Sequence, residues 1–427
     1  MFNKKTIRDI DLKGKTVLVR VDYNVPIENG LITDDYRIKK SLPTIQYLLD
    51  QDCKIVLCSH LGRPEGPEDK SCSLAVCARR LGEMLDKKVG FVNDCISDDA
   101  KSKIADLKNG EILLLENLRY YKEEESNDHD FAKRLSEGCD VFVQEGFGVV
   151  HRAHASTDAI TKFLPSVAGY LLEKEVSTIV GAMENPSRPL VTIIGGAKIS
   201  DKIQLLKRFI EIADVVIVGG AMANTFLLAN GHKIGESLAD HEDVPLAREI
   251  IEMAREKAKN GRFVFYLPQD GVVAEEIASG AKTRIVDWGT HAIADIEHYP
   301  AKPPREASYV KAHEKILDIG PFSGAFMAGT MQLANTVVWN GAMGVTEVDS
   351  LQHKLGPFSH GTELIMEAML GQFGHRPFTV VGGGDTVGYI ENRNAVELFD
   401  HVSTGGGASM ELMSGKKLPG VEALEEK

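Results

Sequence analysis

Apolar residues run in short unbroken stretches along the whole chain. TVLVRV (16–21), KIVLC (54–58), EILLL (111–115) and VFVQ (141–144) lie in the first part. LVTII (190–194), DVVIV (214–218), FVFYL (263–267), KILDI (315–319), TVVW (336–339) and FTVV (378–381) follow. They are short, rich in β-branched residues and do not alternate with polar ones, which predicts strands buried on both faces. Between them the spacing changes. LAVCARRLGEMLDK (74–87) and DKIQLLKRFIEIA (201–213) repeat apolar residues at helical intervals,. Strand alternating with helix predicts parallel sheets covered by helices, and the strands are too many for one sheet. The expectation is an α/β fold with two domains. Leu172, Val176, Ile179, Val180 and Met183 share one helical face, and Pro186 and Pro189 stop that helix,. This segment, 171–188, reads as an interdomain hinge helix between a first domain over 1–170 and a second over 189–405. Leu418 and Val421 are apolar anchors in a C-terminal segment, 406–427.

A length of 427 residues agrees with two domains of roughly 100–200 residues each,. The net charge of −13 argues against a nucleic-acid partner, whose phosphates such a surface repels,. No apolar run approaches the roughly 18 residues of a membrane span, and the start lacks the apolar core of a signal peptide. The six cysteines form no C-x-x-C pair, which points to reduced thiols and a cytoplasmic protein,.

Candidate chemistry gathers where the strands end. TVLVRV runs into Asp22-Tyr23-Asn24, and KIVLC into Ser59-His60-Leu61-Gly62-Arg63-Pro64. EILLL runs into Glu116-Asn117-Leu118-Arg119, and VFVQ leads to His151-Arg152-Ala153-His154. In open parallel sheets, ligands bind beyond the carboxyl ends of the strands. Singly, each arginine reads as a surface cation or a salt bridge. Recurring at successive strand ends, Arg63, Arg119 and Arg152, with His60 and with Arg37 after GLITDDYR, read as a site for a small anion. The guanidinium fork matches carboxylate and phosphate oxygens, and Asp22 and Asn24 suit a hydroxyl on the same ligand. For His151 and His154 a structural role reads equally well.

The second half ends its strands in glycines instead: Gly195-Gly196 before Lys198 and Lys202, Gly219-Gly220, Gly382-Gly383-Gly384 before Asp385, and Gly405-Gly406-Gly407. Such turns let backbone approach a phosphate, and the helix start attracts negative charge. The stretches match neither the Walker pattern nor G-x-G-x-x-G. Asp385 is a carboxylate suited to Mg²⁺ beside nucleotide phosphates. An anion site in one half and a nucleotide site in the other point to phosphoryl transfer.

In combination and order, VRVDYNVP (19–26), SHLGRP (59–64), LLLENLRYYKEE (113–124), FGVVHRAHAS (147–156), GGAKISDKI (195–203), VWNGAMGVTE (338–347), GGGDT (382–386) and HVSTGGGAS (401–409) resemble the phosphoglycerate kinase family over nearly the whole chain. The resemblance implies two Rossmann-like domains with parallel β-sheets flanked by helices, and a C-terminal segment returning to the N-terminal domain. It implies Asp22, Asn24, Arg37, His60, Arg63, Arg119 and Arg152 for 3-phosphoglycerate or 1,3-bisphosphoglycerate. Gly195, Gly196, Lys198, Lys202, Asn340, Glu347, Gly383, Gly384, Asp385 and Thr386 fall to ADP or ATP. Mg²⁺ at Asp385, a monomeric state and catalytic roles for Arg37 and Lys202 follow from the same likeness. The chain departs from the family pattern at Gln144-Glu145-Gly146, Ile316, Phe322-Ser323 and Ala342. Ile316, Phe322 and Ala342 fall on the expected nucleoside side and bear on base preference.

Both possible nucleophiles, a carboxylate and a phosphate oxygen, are already ionised, so the chemistry asks for no general base. It asks for positioning and charge neutralisation. A non-catalytic phosphate-ligand-binding protein is the rival reading. A dinucleotide oxidoreductase is disfavoured because no G-x-G-x-x-G with a downstream acid occurs.

Overall fold

The computed structural model describes residues 2–288, 309–348 and 355–427. They form two compact units. One comprises the chain through Ser177 together with Lys416–Lys427, and the other comprises Thr178–Gly415.

In the first unit the strands are β1 (Thr16–Arg20), the hairpin β2 (Ile27–Glu28) and β3 (Leu31–Ile32), β4 (Lys54–Cys58), β5 (Val89–Val92), β6 (Ile112–Leu115), β7 (Val141–Gln144) and β8 (Ser166–Ala168). Six of them make one parallel sheet in the order β5-β6-β4-β1-β7-β8. Every residue of β1, β6 and β7 is buried, as their unbroken apolar runs require,. The helices Tyr36–Asp50 and Ala75–Leu85 pack Ile38, Ile45, Leu48, Cys77 and Leu81 into the core with Val17, Val19, Ile55 and Leu57. All six cysteines are free, and burial pushes the thiols of Cys58, Cys77 and Cys139 up to about 12.

The second unit has β9 (Leu190–Ile194), β10 (Val215–Val218), β11 (Val264–Tyr266), β12 (Asp270–Ala274), β13 (Arg284–Asp287), β14 (Lys315–Ile319), β15 (Thr336–Asn340), β16 (Phe378–Gly382) and β17 (His401–Val402). Its parallel sheet runs β11-β10-β9-β15-β16-β17. KILDI, expected among the parallel strands, instead pairs antiparallel with β12 in a separate sheet, β13-β12-β14. Its apolar residues, interrupted by Asp318, do not by themselves distinguish parallel from antiparallel pairing. Its partner DGVVA opens with Asp and Gly and carries a weak strand signal,.

Helix Gly406–Met413 belongs to the second unit, packing on helix Ile203–Ile212 and β16. The segment joining the first unit therefore begins at Lys416, later than 406. There Leu418, Val421 and Leu424 are buried. Lys4, itself buried, donates to the carbonyls of Glu422 (2.8 Å) and Leu424 (3.0 Å) and pairs with Glu426 at 2.7 Å. Gly420 N–H donates to the Val150 carbonyl at 2.9 Å, where a Cβ on Gly420 would meet Val150 at 3.0 Å. Removing 416–427 should destabilise the first unit by about 4 kcal/mol or more, from three apolar side chains at roughly 1.5–3 kcal/mol each. Urea unfolding followed by far-UV signal checks this, and an unchanged midpoint would show the segment to be dispensable.

Candidate active site

The first unit places its cations beyond the carboxyl ends of β1, β4, β6 and β7. A hydrogen-bonded frame holds them. Asn24 Oδ1 accepts from Gly62 N–H (2.8 Å), tying the turn after β1 to the turn after β4. Gly62 has φ of +62° and lies against Cys72, so a side chain there would strain the turn,. Asn117 Nδ2 donates to the Leu61 (2.7 Å) and Cys72 (2.9 Å) carbonyls, and its Oδ1 accepts from Leu61 and Arg119 N–H. Arg119 Nη1 in turn donates to the Gly62 carbonyl at 2.9 Å. Arg37 Nη1 donates to the Asn24 carbonyl (2.7 Å) and lies 3.5 Å from Asp22 Oδ2.

The charges converge without neutralising one another. Burial disfavours the Arg119 charge, Glu125 favours it, and Arg20 and Arg152 oppose it. Burial pushes Asp22 up, yet Arg37, His60 and Arg20 together leave its carboxyl lowered. His60 is buried and held well below its ordinary range by that burial and by Arg20, Arg119 and Arg37, against Asp22. It is neutral at physiological pH. Arg63 and Arg152 are exposed beside this cluster. A pocket of close cations around one neutral imidazole stabilises an incoming anion. His154 is buried and neutral too, lowered to about 4 by burial and by Arg20 and Arg119.

In the second unit three strand ends touch. Lys202 Nζ donates to the Gly195 carbonyl (2.7 Å), Asn340 Oδ1 (2.7 Å) and the Asn340 carbonyl (3.2 Å). A Cβ on Gly195 would stand 2.1 Å from the Ala342 carbonyl oxygen, so the turns after β9 and β15 meet only because residue 195 is glycine,. Thr386 Oγ1 accepts from Gly341 N–H at 2.7 Å, tying the start of helix Gly384–Asn392 to β15. Gly383, at φ +94°, lies against the Asn340 amide, whose buried Nδ2 has no hydrogen-bond partner among the described residues. Burial lowers the Lys202 amine to about 8, against Asp385 and Asp201.

A cleft of about 490 Å³ opens beside these turns, lined among others by Gly196, Gly220, Trp288, Ile316, Glu347 and Asp385. Of the expected nucleotide residues, Gly196, Glu347 and Asp385 line it. Lys202, Gly195, Asn340, Gly383, Gly384 and Thr386 build the adjoining turns. Lys198 stands apart, exposed and paired with Asp240 at 3.1 Å. Of the departures from the family pattern, Ile316 and Ala342 line the cleft, while Phe322 is exposed and does not. Asp385 is an exposed carboxylate in the first turn of helix Gly384–Asn392. Among the described residues no group of three or more His, Cys, Asp or Glu is arranged to hold a metal ion. A divalent cation here would take one carboxylate from the chain and its other oxygens from phosphate and water, as Mg²⁺ prefers.

Sequence reasoning passed over Arg20, Glu124 and Ser156, which back the first-unit cluster: Arg20 lies inside a buried strand, Glu124 is the one buried acid of an otherwise exposed charged helix, and Ser156 is a neutral residue on a turn. It also passed over Trp288, whose Nε1 donates to the Pro268 carbonyl at 2.7 Å at the cleft wall.

Glu145 closes β7 against the start of helix Tyr170–Glu184. Its carboxylate accepts from Leu171 N–H at 3.2 Å, and a Cβ on Gly169 would stand 1.9 Å from Oε2. Burial pushes this carboxyl up to about 8, against hydrogen bonds from Thr44, Leu171 and Leu172. Between the ordinary value of 4.5 and about 8, the folded chain holds a proton that the unfolded chain has lost. The Glu145 contribution to stability therefore falls as pH rises through that window, by up to about 1.4 kcal/mol per pH unit. Glu145→Gln lacks this slope, so its stability relative to the parent should grow from about pH 5 to 8. Denaturant unfolding of both proteins at several pH values measures it, and a pH-independent difference would refute it.

A profile of the family described as phosphoglycerate kinase matches residues 7–416. The phosphoglycerate kinase of Moorella thermoacetica is 44% identical over 424 residues, covering 99% of this chain and 100% of that protein. That of a Roseiflexus species is 45% identical over 425 residues, with 99% of each covered. The solved phosphoglycerate kinase of Coxiella burnetii superposes with a TM-score of 0.82 at 37% identity, covering 98% of each chain.

Proposed function

The chain belongs to the phosphoglycerate kinase family, and on that premise we propose how its residues divide the work. The reaction is reversible transfer of a phosphoryl group between 1,3-bisphosphoglycerate and ADP, giving 3-phosphoglycerate and ATP in glycolysis. In our reading the first unit is the phosphoglycerate-binding domain and the second the nucleotide-binding domain, with 171–188 as the hinge. The observation that carries the first assignment is the set of cations around neutral His60. Arg63, Arg119 and Arg152 anchor phosphate and carboxylate by charge-assisted bonds. Asp22 and Asn24 take the hydroxyl, and Arg37 meets the transferring phosphoryl group. Lys202, the glycine turns, Asn340 and Thr386 hold the nucleotide phosphates, Lys198 joins them on leaving Asp240, and Glu347 faces the nucleoside side of the cleft.

In the ATP-forming direction an ADP phosphate oxygen attacks the acyl phosphate. In the reverse direction the 3-phosphoglycerate carboxylate attacks the γ-phosphorus of ATP. Neither nucleophile needs deprotonation, so this chain's residues orient the partners and spread the developing charge. Mg²⁺ bound at Asp385 would neutralise phosphate charge. We place the protein in the cytoplasm as a monomer; among the described residues no helix is long and apolar enough to cross a membrane.

The test is turnover of 3-phosphoglycerate with Mg·ATP and, separately, with Mg·GTP, the acyl phosphate being drawn off by an NADH-dependent dehydrogenase. Turnover with ATP supports the assignment. Turnover with GTP alone would trace base choice to Ile316 and Ala342. A folded protein inactive with both would reduce the chain to a binding protein.

A further inference from the structure

Arg20 ends β1 and is almost completely buried, and none of the ligand-binding roles above falls to it. Its Nη2 lies 3.2 Å from His60 Nδ1. We propose that Arg20 is a positioning residue that fixes His60 in the tautomer protonated at Nε2, so that His60 offers the ligand a hydrogen-bond donor.

A guanidinium has donors only and keeps its protons at any working pH. The ring nitrogen facing it must therefore accept, which leaves the imidazole proton on Nε2. A proton on Nδ1 would set two N–H groups against each other beside a fixed positive charge. The guanidinium has no freedom to turn away. Its Nε donates to Ser156 Oγ at 2.8 Å and its Nη1 to the Val21 carbonyl. Ser156 passes the constraint on: Oγ donates to Glu124 Oε1 at 2.5 Å and the backbone N–H to Oε2 at 3.0 Å. Glu124 is fully buried, and its carbonyl accepts from Ala155 N–H at 2.9 Å. The chain Glu124–Ser156–Arg20–His60 thus leads to the anion pocket, and within it Arg20 can only donate, to Ser156 on one side and to His60 on the other,.

The other charged groups around His60 agree with this assignment. Asp22 Oδ1 is 3.9 Å from Nδ1, too far to compete for a proton there as a hydrogen-bond acceptor,. Arg37 and Arg119 add positive charge that disfavours a second ring proton. Among the described residues no hydrogen bond engages His60 Nε2. On the phosphoglycerate reading of the first unit, that N–H meets a carboxylate or hydroxyl oxygen of the ligand.

The inference rests on that reading only for what Nε2–H meets; the tautomer belongs to the ligand-free chain. Full-length protein carrying ¹⁵N-labelled histidine, with the His60 signals assigned by their loss in His60→Gln, reports both ring nitrogens by two-bond ¹H–¹⁵N correlation. Expected without ligand between about pH 6 and 8 is an unprotonated Nδ1 and a protonated Nε2. Arg20→Lys keeps a donor and should keep the tautomer. Arg20→Met should let His60 titrate nearer its ordinary value and populate the Nδ1–H form. Its KM for 3-phosphoglycerate should rise about tenfold, the cost of one hydrogen bond of about 1.4 kcal/mol, with kcat little changed. Nδ1 protonated in the parent protein would overturn the proposal, and so would Arg20→Met spectra matching the parent. If Arg20→Met does not fold, the parent and Arg20→Lys spectra decide. A protein that ignores 3-phosphoglycerate would refute the substrate reading while leaving the tautomer measurement in force.

Discussion

Lys202→Met is expected to lower kcat by about 10²–10³-fold, the scale of losing one preorganised electrostatic stabiliser, with little change in KM for 3-phosphoglycerate. The reason lies in how the amine is held. Its three acceptors, the Gly195 carbonyl, Asn340 Oδ1 and the Asn340 carbonyl, are all neutral. They fix the ammonium without cancelling its charge, which leaves the charge available to phosphate oxygens. Burial lowers the amine to about 8 in the free protein. The ammonium is therefore present below that pH and lost above it, so kcat/KM should fall on the alkaline side with an apparent pKa near 8. Bound phosphates favour the charged form and should move the corresponding limb of kcat upward. Arginine should not substitute well, because the amine nestles against Gly196, whose missing Cβ would lie 3.3 Å from Nζ. Steady-state rates from about pH 6 to 9.5 decide the matter. An alkaline limb that persists unchanged in Lys202→Met would assign it to another group.

The parallel cores were legible because a strand buried on both faces must be apolar throughout. TVLVR, VFVQ, LVTII and TVVWN are such strands, and all sit inside their sheets. What escaped lies at sheet edges. VGFV, SVA and HV are the outermost named strands of their sheets and only two to four residues long. Runs this short, holding glycine in VGFV and a polar residue in SVA and HV, lie at or below the shortest length at which an apolar stretch signals a strand,. DGVVA and RIVD escaped for a related reason, since their antiparallel sheet tolerates polar positions,.

The site was legible where charge interrupts an apolar run on a turn, as at His60-Leu61-Gly62-Arg63. It was illegible where a buried charge hides within a strand or among exposed acids of a helix. Arg20 reads in sequence as one polar residue in TVLVRV, and Glu124 as one acid in KEEES. Only the fold shows that Ser156 joins them behind His60. Lys198 marks the opposite limit. Four residues from Lys202 in sequence, it matched the same phosphate pattern, yet it is exposed and paired with Asp240. Spacing names residues that share a neighbourhood; burial and partners decide which of them is held in place.

Arg37→Ala is expected to reduce kcat by about 10²-fold or more. Arg63→Ala, Arg119→Ala and Arg152→Ala should instead raise KM for 3-phosphoglycerate. The difference follows from what holds each side chain. Arg37 is braced on one nitrogen: Nη1 donates to the Asn24 carbonyl at 2.7 Å and approaches Asp22 Oδ2 at 3.5 Å. Among the described residues its other donors make no hydrogen bond to the frame, and they can follow charge as it moves to the transferring group. Arg119 has Nη1 committed to the Gly62 carbonyl and Nε 3.2 Å from Glu125, so it is built into the turn that receives the ground-state ligand. An interaction made equally in the ground and transition states appears in KM, and one that strengthens along the reaction appears in kcat. Arg37→Lys should recover little, since one ammonium cannot both brace on Asn24 and reach the phosphoryl oxygens. Unfolding midpoints should fall for Arg37→Ala, which removes the largest of the charges that keep the mostly buried Asp22 ionised,, so kcat is read on protein shown to be folded. An Arg37→Ala protein with parental kcat would remove Arg37 from the transition state and leave Lys202 to carry that charge.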